Sequence, residues 1–430
     1  MLSKLNSGAW VVPLLFLAAS PAAGDDHTSD ADVKLSSYEN AMVWTGQGFD
    51  EADLLVVNGR IAEATAENLA DVPQEHRNDL AGKYIVPAYA NAHVHVTNAA
   101  DWSSNGYLEK GVYYAWNPTV IDLGEGAAEY FARPDTYDVK ISRGGITEPG
   151  GHPEKLYVDI LGPSVYQGRT DFLGDAYHYG TTREDIVAAL DLLVEQGAEF
   201  VKGYLLSSEE YEKRRDDAEY YGNKGMNPDN AAFLVEEAAK RDLLVTWHVE
   251  TAQDLVVAAQ SGAFAAMHLP GYGLFRDAEV AVARTLREDQ AKIVADSGMW
   301  LIPTYGIAPA RAANLETDLG RTRAALAFAI QRHNLATLKN AGARFMVGTD
   351  GFTSILAELE HLDSLGVFER DELLRQIFTT SEMLFPERAQ GCLEAGCKAD
   401  FLVLDGNPME ELDQLEAISK RIKDGAELSL

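Results

Sequence analysis

The stretch Pro87-Ala88-Tyr89-Ala90-Asn91-Ala92-His93-Val94-His95-Val96 decides the reading of this chain. Small and apolar residues run up to two histidines one residue apart. In a strand, residues i and i+2 project from the same face, so both imidazoles point the same way at the strand's end. That geometry suits a metal ion, although His-x-His also occurs on exposed strands and in solvated loops. The pair gains meaning only from what lies on either side of it.

Downstream, buried-type strands alternate with amphipathic helices. After a first strand over 85–91, the pattern gives strands over 111–120, 137–147, 198–205, 243–250, 263–269, 299–305 and 344–348. The segment 156–161 competes for third place in that series. Helical spacing fills 229–240, 251–261 and 287–296, and a glycine follows each of the last two closely, as a helix stop prefers. Eight strand-then-helix units predict an α/β fold, a (β/α)8 TIM barrel, whose chemistry sits at the C-terminal ends of the strands. The flanks read differently. Short strands over 41–44, 52–57 and 60–62, with an Asn58-Gly59 turn, are matched by a β-like tail over 399–406. The two ends are expected to pair into a small β-sandwich domain. The expected division is 35–84 and 388–430 for that domain and 85–387 for the barrel.

Polar residues follow the apolar runs at those strand ends. The fourth strand gives Lys202, the fifth His248, the sixth His268 and the eighth Asp350, beside His93 and His95 of the first. Singly, each has a plain structural explanation. Lys202 could lay its stem on apolar surface, His248 or His268 could be hydrogen-bonded core residues, and Asp350 could cap the next helix. Six such residues at one rim point instead to a shared site.

This constellation resembles the amidohydrolase superfamily, in particular the branch with imidazolonepropionase and the prolidase-like dipeptidases. The resemblance runs over nearly the whole chain after its leader. It rests on Pro87 to His95, Gly150-Gly151-His152, Val201-Lys202, His248, His268-Leu269-Pro270-Gly271, Gly348-Thr349-Asp350 and the closing segment from Gly396 to Pro408. It departs from the family's usual Pro-Gly-aliphatic-aliphatic-Asp, since Pro87-Ala88-Tyr89-Ala90-Asn91 stands in its place. The resemblance implies two divalent metal ions bridged by a carbamylated Lys202; N/O ligands suit zinc but admit manganese, iron or cobalt, and without the carbamate the site would hold one metal. His93, His95 and Asp350 would bind one ion, and His248 and His268 the other. Electrostatics agrees with the anionic bridge. Two divalent ions ~3.5 Å apart repel by roughly 19 kcal/mol at an effective dielectric of about 20, which four neutral imidazoles do not offset. Such ions lower the pKa of bound water to ~7, and Asp350 would take that proton and deliver it to the leaving nitrogen. His152 and Tyr204 are candidate substrate contacts, a loop histidine and a packed tyrosine being the plain alternatives. The charged, aromatic segment 207–227 is expected as a loop over the mouth or as a surface insertion. His178 and His333 suggest no role.

Composition narrows the partners. The chain carries 36 Lys+Arg against 67 Asp+Glu, a net charge of −31, which argues against nucleic acid and anionic membranes. Lys4, the apolar run from Ala9 to Ala19 and the small residues through Gly24 read as a signal peptide over 1–23, so the protein is expected to be secreted or periplasmic. A spanning helix needs ~20 apolar residues, and this shorter run contains Pro13. The two cysteines, Cys392 and Cys397, flank a Leu-Glu-Ala-Gly turn that would place them opposite each other on paired strands. There they form a disulfide in an oxidising compartment, or pack as thiols. The function expected is a metal-dependent hydrolase of C–N bonds acting on a small amide, a dipeptide or an N-acyl amino acid. Cyclic amide hydrolysis, deamination, and an inactive barrel serving as a binding protein are the alternatives. A deaminase of this type uses one metal and no bridging lysine, so Lys202 speaks against it.

Overall fold

The structure is a computed structural model. It describes residues 34–96, 103–118, 123–273, 280–314, 317–351 and 354–430. The expected leader over 1–23, and the last two residues of the strand expected over 111–120, lie outside them.

The strands in chain order are β1 (Leu35–Trp44), β2 (Phe49–Val57), β3 (Arg60–Ala62), β4 (Arg77–Asp79), β5 (Tyr84–Pro87), β6 (Tyr89–Asn91), β7 (Val112–Asn117), β8 (Asp138–Ile141) and β9 (Gly145–Thr147). They continue with β10 (Tyr177–Tyr179), β11 (Phe200–Tyr204), β12 (Leu244–His248), β13 (Ala265–Met267), β14 (Trp300–Ile302), β15 (Arg344–Phe345), β16 (Phe401–Leu404), β17 (Ile418–Lys423) and β18 (Ala426–Glu427). Parallel pairing runs β6-β7-β8 in one sheet and β10-β9-β11-β12-β13-β14-β15 in another. Backbone hydrogen bonds close these into a barrel. Ala92 N–H donates to the Val347 carbonyl at 2.9 Å, and Glu199 N–H donates to the Ile141 carbonyl at 2.9 Å. The core is continuous through the barrel. Fully buried Trp116 stacks on Phe200 at 4.7 Å between ring centroids, each such ring contributing about 2–3 kcal/mol through its burial.

Helices stand between the strands where the sequence caps them. Ala252–Gln260 begins at Thr251, whose hydroxyl accepts from Asp254 N–H while the Asp254 carboxylate accepts from Thr251 N–H, a reciprocal cap that satisfies two otherwise unpaired donors. Glu288–Ser297 stops at Gly298, which takes φ 69°, a left-handed conformation that costs glycine little.

The small domain is a mixed eight-stranded sheet from both ends of the chain, ordered β18-β17-β16-β5-β1-β2-β3 with β4 on β1. It has its own core, including Tyr38, Val43, Leu54, Ile85, Phe401 and Ile422. Together the two parts make the expected TIM barrel with an appended β-sandwich.

Details differ from expectation, each for a local reason. The strand read over 85–91 is two strands. Pro87 has no N–H to donate, Ala88 N–H turns to the Asp400 carbonyl at 3.0 Å, and Tyr89 N–H to the Gly111 carbonyl at 2.9 Å. β5 therefore lies in the small sheet, and the boundary expected between 84 and 85 falls inside it. The strand over 137–147 is also two, broken at Arg143, which has φ 60°. β8 pairs with β7, and β9 with β10 and β11. Segment 156–161 is a π-helical turn, Leu156–Leu161, and β10 was not expected. Cys392 and Cys397 are disulfide-bonded with Cα atoms 5.9 Å apart, but across a turn and not on paired strands.

Candidate metal centre

The rim is built by backbone as much as by side chains. β6 ends at Asn91, whose side-chain oxygen accepts from His93 N–H and from Thr349 N–H, both at 3.2 Å. The His93 carbonyl in turn accepts from Asp350 N–H at 2.9 Å. The first and eighth strands are thus knitted just where His93, His95 and Asp350 emerge. Gly348 permits this, because a Cβ there would lie 2.5 Å from an Ile302 methyl and 3.0 Å from the His93 backbone nitrogen. Three non-glycine residues at the rim sit in the left-handed region: His268 at φ 71°, Thr304 at 54° and Asp350 at 55°. Such conformations cost of order 1–3 kcal/mol each and persist only where surrounding structure imposes them.

All six residues expected to ligate metal line one cavity of about 370 Å³, together with His152 and Tyr204. His93 Nε2 lies 3.1 Å from His95 Nε2 and 3.3 Å from Asp350 Oδ1, and His95 Nε2 is 3.1 Å from the same oxygen. One ligand atom each from His93, His268 and Asp350 falls within 4.8 Å of the others. The His268 ring is 4.6 Å from that of His93 and 4.5 Å from that of His248 between centroids. Lys202 Nζ and His248 Nε2 are buried with no hydrogen-bond partner.

Burial is the leading cause of the site's electrostatics. It holds the His93 and His268 imidazoles well below their usual range, with Lys202 and neighbouring histidines adding to it. The Lys202 amine is brought down to about 7 by burial, against a smaller opposing pull from Asp350. Neutral imidazoles, a carboxylate and an amine able to shed its proton are the donor set that divalent ions accept. Orphaned polar atoms facing the same space fit such ions too, since an unpaired buried polar group is costly unless something engages it.

Several contributors have no sequence pattern of their own. Tyr272 stacks on His268 at 4.2 Å between centroids. Thr304 Oγ1 meets His268 Nδ1 at 2.7 Å, fixing which ring nitrogen faces the cavity. Its only signal is that it follows the apolar run of β14. Glu250 Oε1 lies 3.6 Å from His248 Nε2 and Glu250 Oε2 accepts from Arg284 at 2.8 Å. Burial would raise its carboxyl, but His248 and Arg284 outweigh that and hold it at about 2. The segment 207–227 does not reach the cavity. It winds through short helical turns, with Tyr211 OH and Asn227 N–H donating to Glu148. The wall comes instead from Pro153, Leu156, Tyr157 and Leu161. His178 and His333 stay outside the lining, His333 Nε2 lying 2.9 Å from the Leu286 carbonyl oxygen.

The model of the Amidohydrolase family matches residues 219–428. No curated protein matches the sequence. Solved structures share the fold at low identity. The A. niger ochratoxinase is 19% identical with a TM-score of 0.68, covering 92% of this chain and 95% of that one. A prolidase complexed with N-methylphosphonate-L-proline is 19% identical with a TM-score of 0.69, over 92% and 100%. A Xaa-Pro dipeptidase with methionine bound in its active site is 15% identical with a TM-score of 0.67, over 92% and 99%. The barrel, the residues gathered at its rim and the match of residues 219–428 to the Amidohydrolase family model agree with one another, and the fold is the one these solved structures share.

Proposed function

We propose that this protein is an exported amidohydrolase that cleaves dipeptides or N-acyl amino acids, using two zinc ions held by His93, His95, Lys202, His248, His268 and Asp350. The observation that carries the reading is the convergence of those six side chains on one cavity, with the Lys202 amine buried and unpartnered among them. An amine titrating near 7 is in part neutral at physiological pH. It can therefore take up carbon dioxide, forming a carbamate and releasing a proton, and so supply the anion that paired cations require. When bound, the metal supplies an activated water and polarises the carbonyl to be attacked. The chain's own groups do the rest. Asp350, with Oδ1 toward His93 and His95, accepts the proton from water and passes it to the departing nitrogen. Thr304 keeps the His268 ring oriented, and His152 and Tyr204, whose rings lie 5.2 Å apart, contact the substrate. The relatives described as a prolidase and a Xaa-Pro dipeptidase support starting from dipeptides. The leader over 1–23 and the single disulfide support export, and among the described residues no helix is long and apolar enough to cross a membrane. The domain division 35–84, 85–387 and 388–430, with its first boundary moved beyond β5, completes the reading.

The test is a screen of the purified protein against dipeptides and N-acyl amino acids, with metal analysis on the same preparation. Chelator-sensitive release of an amino acid and two zinc ions per chain are expected. One ion per chain with an unmodified Lys202 by mass spectrometry refutes the bridged pair, and absence of hydrolysis across the library refutes the substrate class.

A further inference from the structure

The cavity is chemically lopsided. Its inner end carries the imidazoles, Lys202 and Asp350, while Pro153, Leu156, Tyr157 and Leu161 make an apolar wall. One more charged side chain lines it, Arg311, on the helix Ile307–Ala313 that follows β14. Among the described residues no hydrogen bond or ion pair engages its guanidinium, whereas the neighbouring Arg284 is bound to Glu250 at 2.8 Å. Asp350 is the one carboxylate in the lining, and its Oδ1 already faces His93 and His95 at 3.3 and 3.1 Å. The chain holds 67 acidic residues against 36 basic ones, yet among the described residues none of those carboxylates pairs with Arg311 at the cavity. Its charge also reaches the hydroxyl of Tyr272, the ring stacked on His268.

A guanidinium presents a planar fork that grips a carboxylate through two parallel N–H donors. We propose that Arg311 is the specificity-determining anchor for the free carboxylate of an amino-acid-type substrate, whose apolar portion lies against Leu156, Tyr157 and Leu161. The inference rests on the proposed reaction for the bond that is cleaved, and adds the part of the substrate that is recognised but not cleaved. The carboxylate belongs to the leaving amino acid, so that its nitrogen faces Asp350. Amides lacking the anion then fit the wall but are not retained.

The probes are N-benzyl-L-phenylalanine and the matching alcohol, N-benzyl-L-phenylalaninol, in which a methylene replaces the acyl carbonyl so that neither can be hydrolysed. Calorimetric titration of the metal-loaded protein is expected to give at least about tenfold tighter binding of the acid, the size of effect a hydrogen-bonded charge pair supplies. Arg311→Gln should bring the acid to within about twofold of the alcohol while leaving the alcohol's affinity unchanged, and Arg311→Lys should retain part of the preference. Circular dichroism confirms folding, which the exposed position of Arg311 favours. Equal affinities in the unsubstituted protein, or a preference that survives Arg311→Gln because the carboxylate sits on metal, overturns the assignment. If the preference behaves as stated but no amide is cleaved, the reaction reading fails and the Arg311 anchor stands.

Discussion

Removing the Asp254 carboxylate tests how the rim is held. Asp254 is fully buried, and five donors converge on it from two loops. Ser207 N–H, Glu250 N–H and Thr251 N–H donate to Oδ2 at 2.9, 3.1 and 2.9 Å. Ser208 N–H and Ser208 OH donate to Oδ1 at 2.7 and 2.6 Å. One loop follows the strand of Lys202 and the other the strand of His248, so a single carboxylate ties together two rim segments beside proposed ligands. A hydrogen bond to a charged group contributes about 1.5–3 kcal/mol, and a buried donor left unsatisfied costs about 1–3 kcal/mol. Five such bonds summed exceed what single substitutions show, because water enters the space and the donors relax; about 4 kcal/mol is expected for Asp254→Ala. Asp254→Asn keeps an oxygen for the three donors on Oδ2 and sets an NH2 against Ser208 N–H, so about 2 kcal/mol is expected from that one unsatisfied donor. Urea unfolding of the chelator-treated proteins measures both, with hydrogen exchange at Ser207 and Ser208 as a local readout. An Asp254→Ala protein within about 1 kcal/mol of the parent, or unchanged protection at those two amides, would refute the argument.

Three other expectations bear on the site. Lys202→Met should stabilise the metal-free protein. With the amine at about 7 when folded and 10.5 otherwise, the unfolded chain binds more protons between those values, so stability rises with pH across that window by about 5 kcal/mol; urea midpoints from pH 6 to 10 should show the excess rise in the parent and not in Lys202→Met. Asp350→Asn should fold, bind metal more weakly and lose nearly all hydrolysis, and retained turnover in the metal-loaded variant would end its acid–base role. Thr304→Val removes the partner of His268 Nδ1 and should weaken metal binding about 10–100-fold, read by competition with a chromophoric chelator.

What could be read from the chain alone was whatever repeats or alternates. In β11 the apolar pair Phe200-Val201 leads straight into Lys202, and β12 ends on His248, so both residues could be placed without coordinates. Of the two strands that proved divided, β5/β6 continues as an apolar run in sequence, whereas β8/β9 is interrupted by Ser142-Arg143-Gly144. Their division comes from hydrogen bonds made elsewhere, to Asp400 and Gly111 in one case and at the left-handed Arg143 in the other. Tyr177–Tyr179 is too short to show a period, and Leu156–Leu161 has the apolar content of a strand but closes a helical turn. Tyr272, Glu250 and Arg311 act through position alone. Nothing in their immediate neighbours distinguishes a tyrosine that stacks on His268 from one that packs in a core.

β5 leads within two residues into β6 and the histidines, and its partner β16 sets Phe401 opposite Pro87, more than three hundred positions further on. A nascent polypeptide thus exposes His93 and His95 early, with β5 already able to pair with β1, but the strand that feeds them gains its second neighbour only when β16 leaves the ribosome. Biosynthesis runs one way and assembly closes from the other end. In this fold the last strands made are the keystone for the first histidines translated.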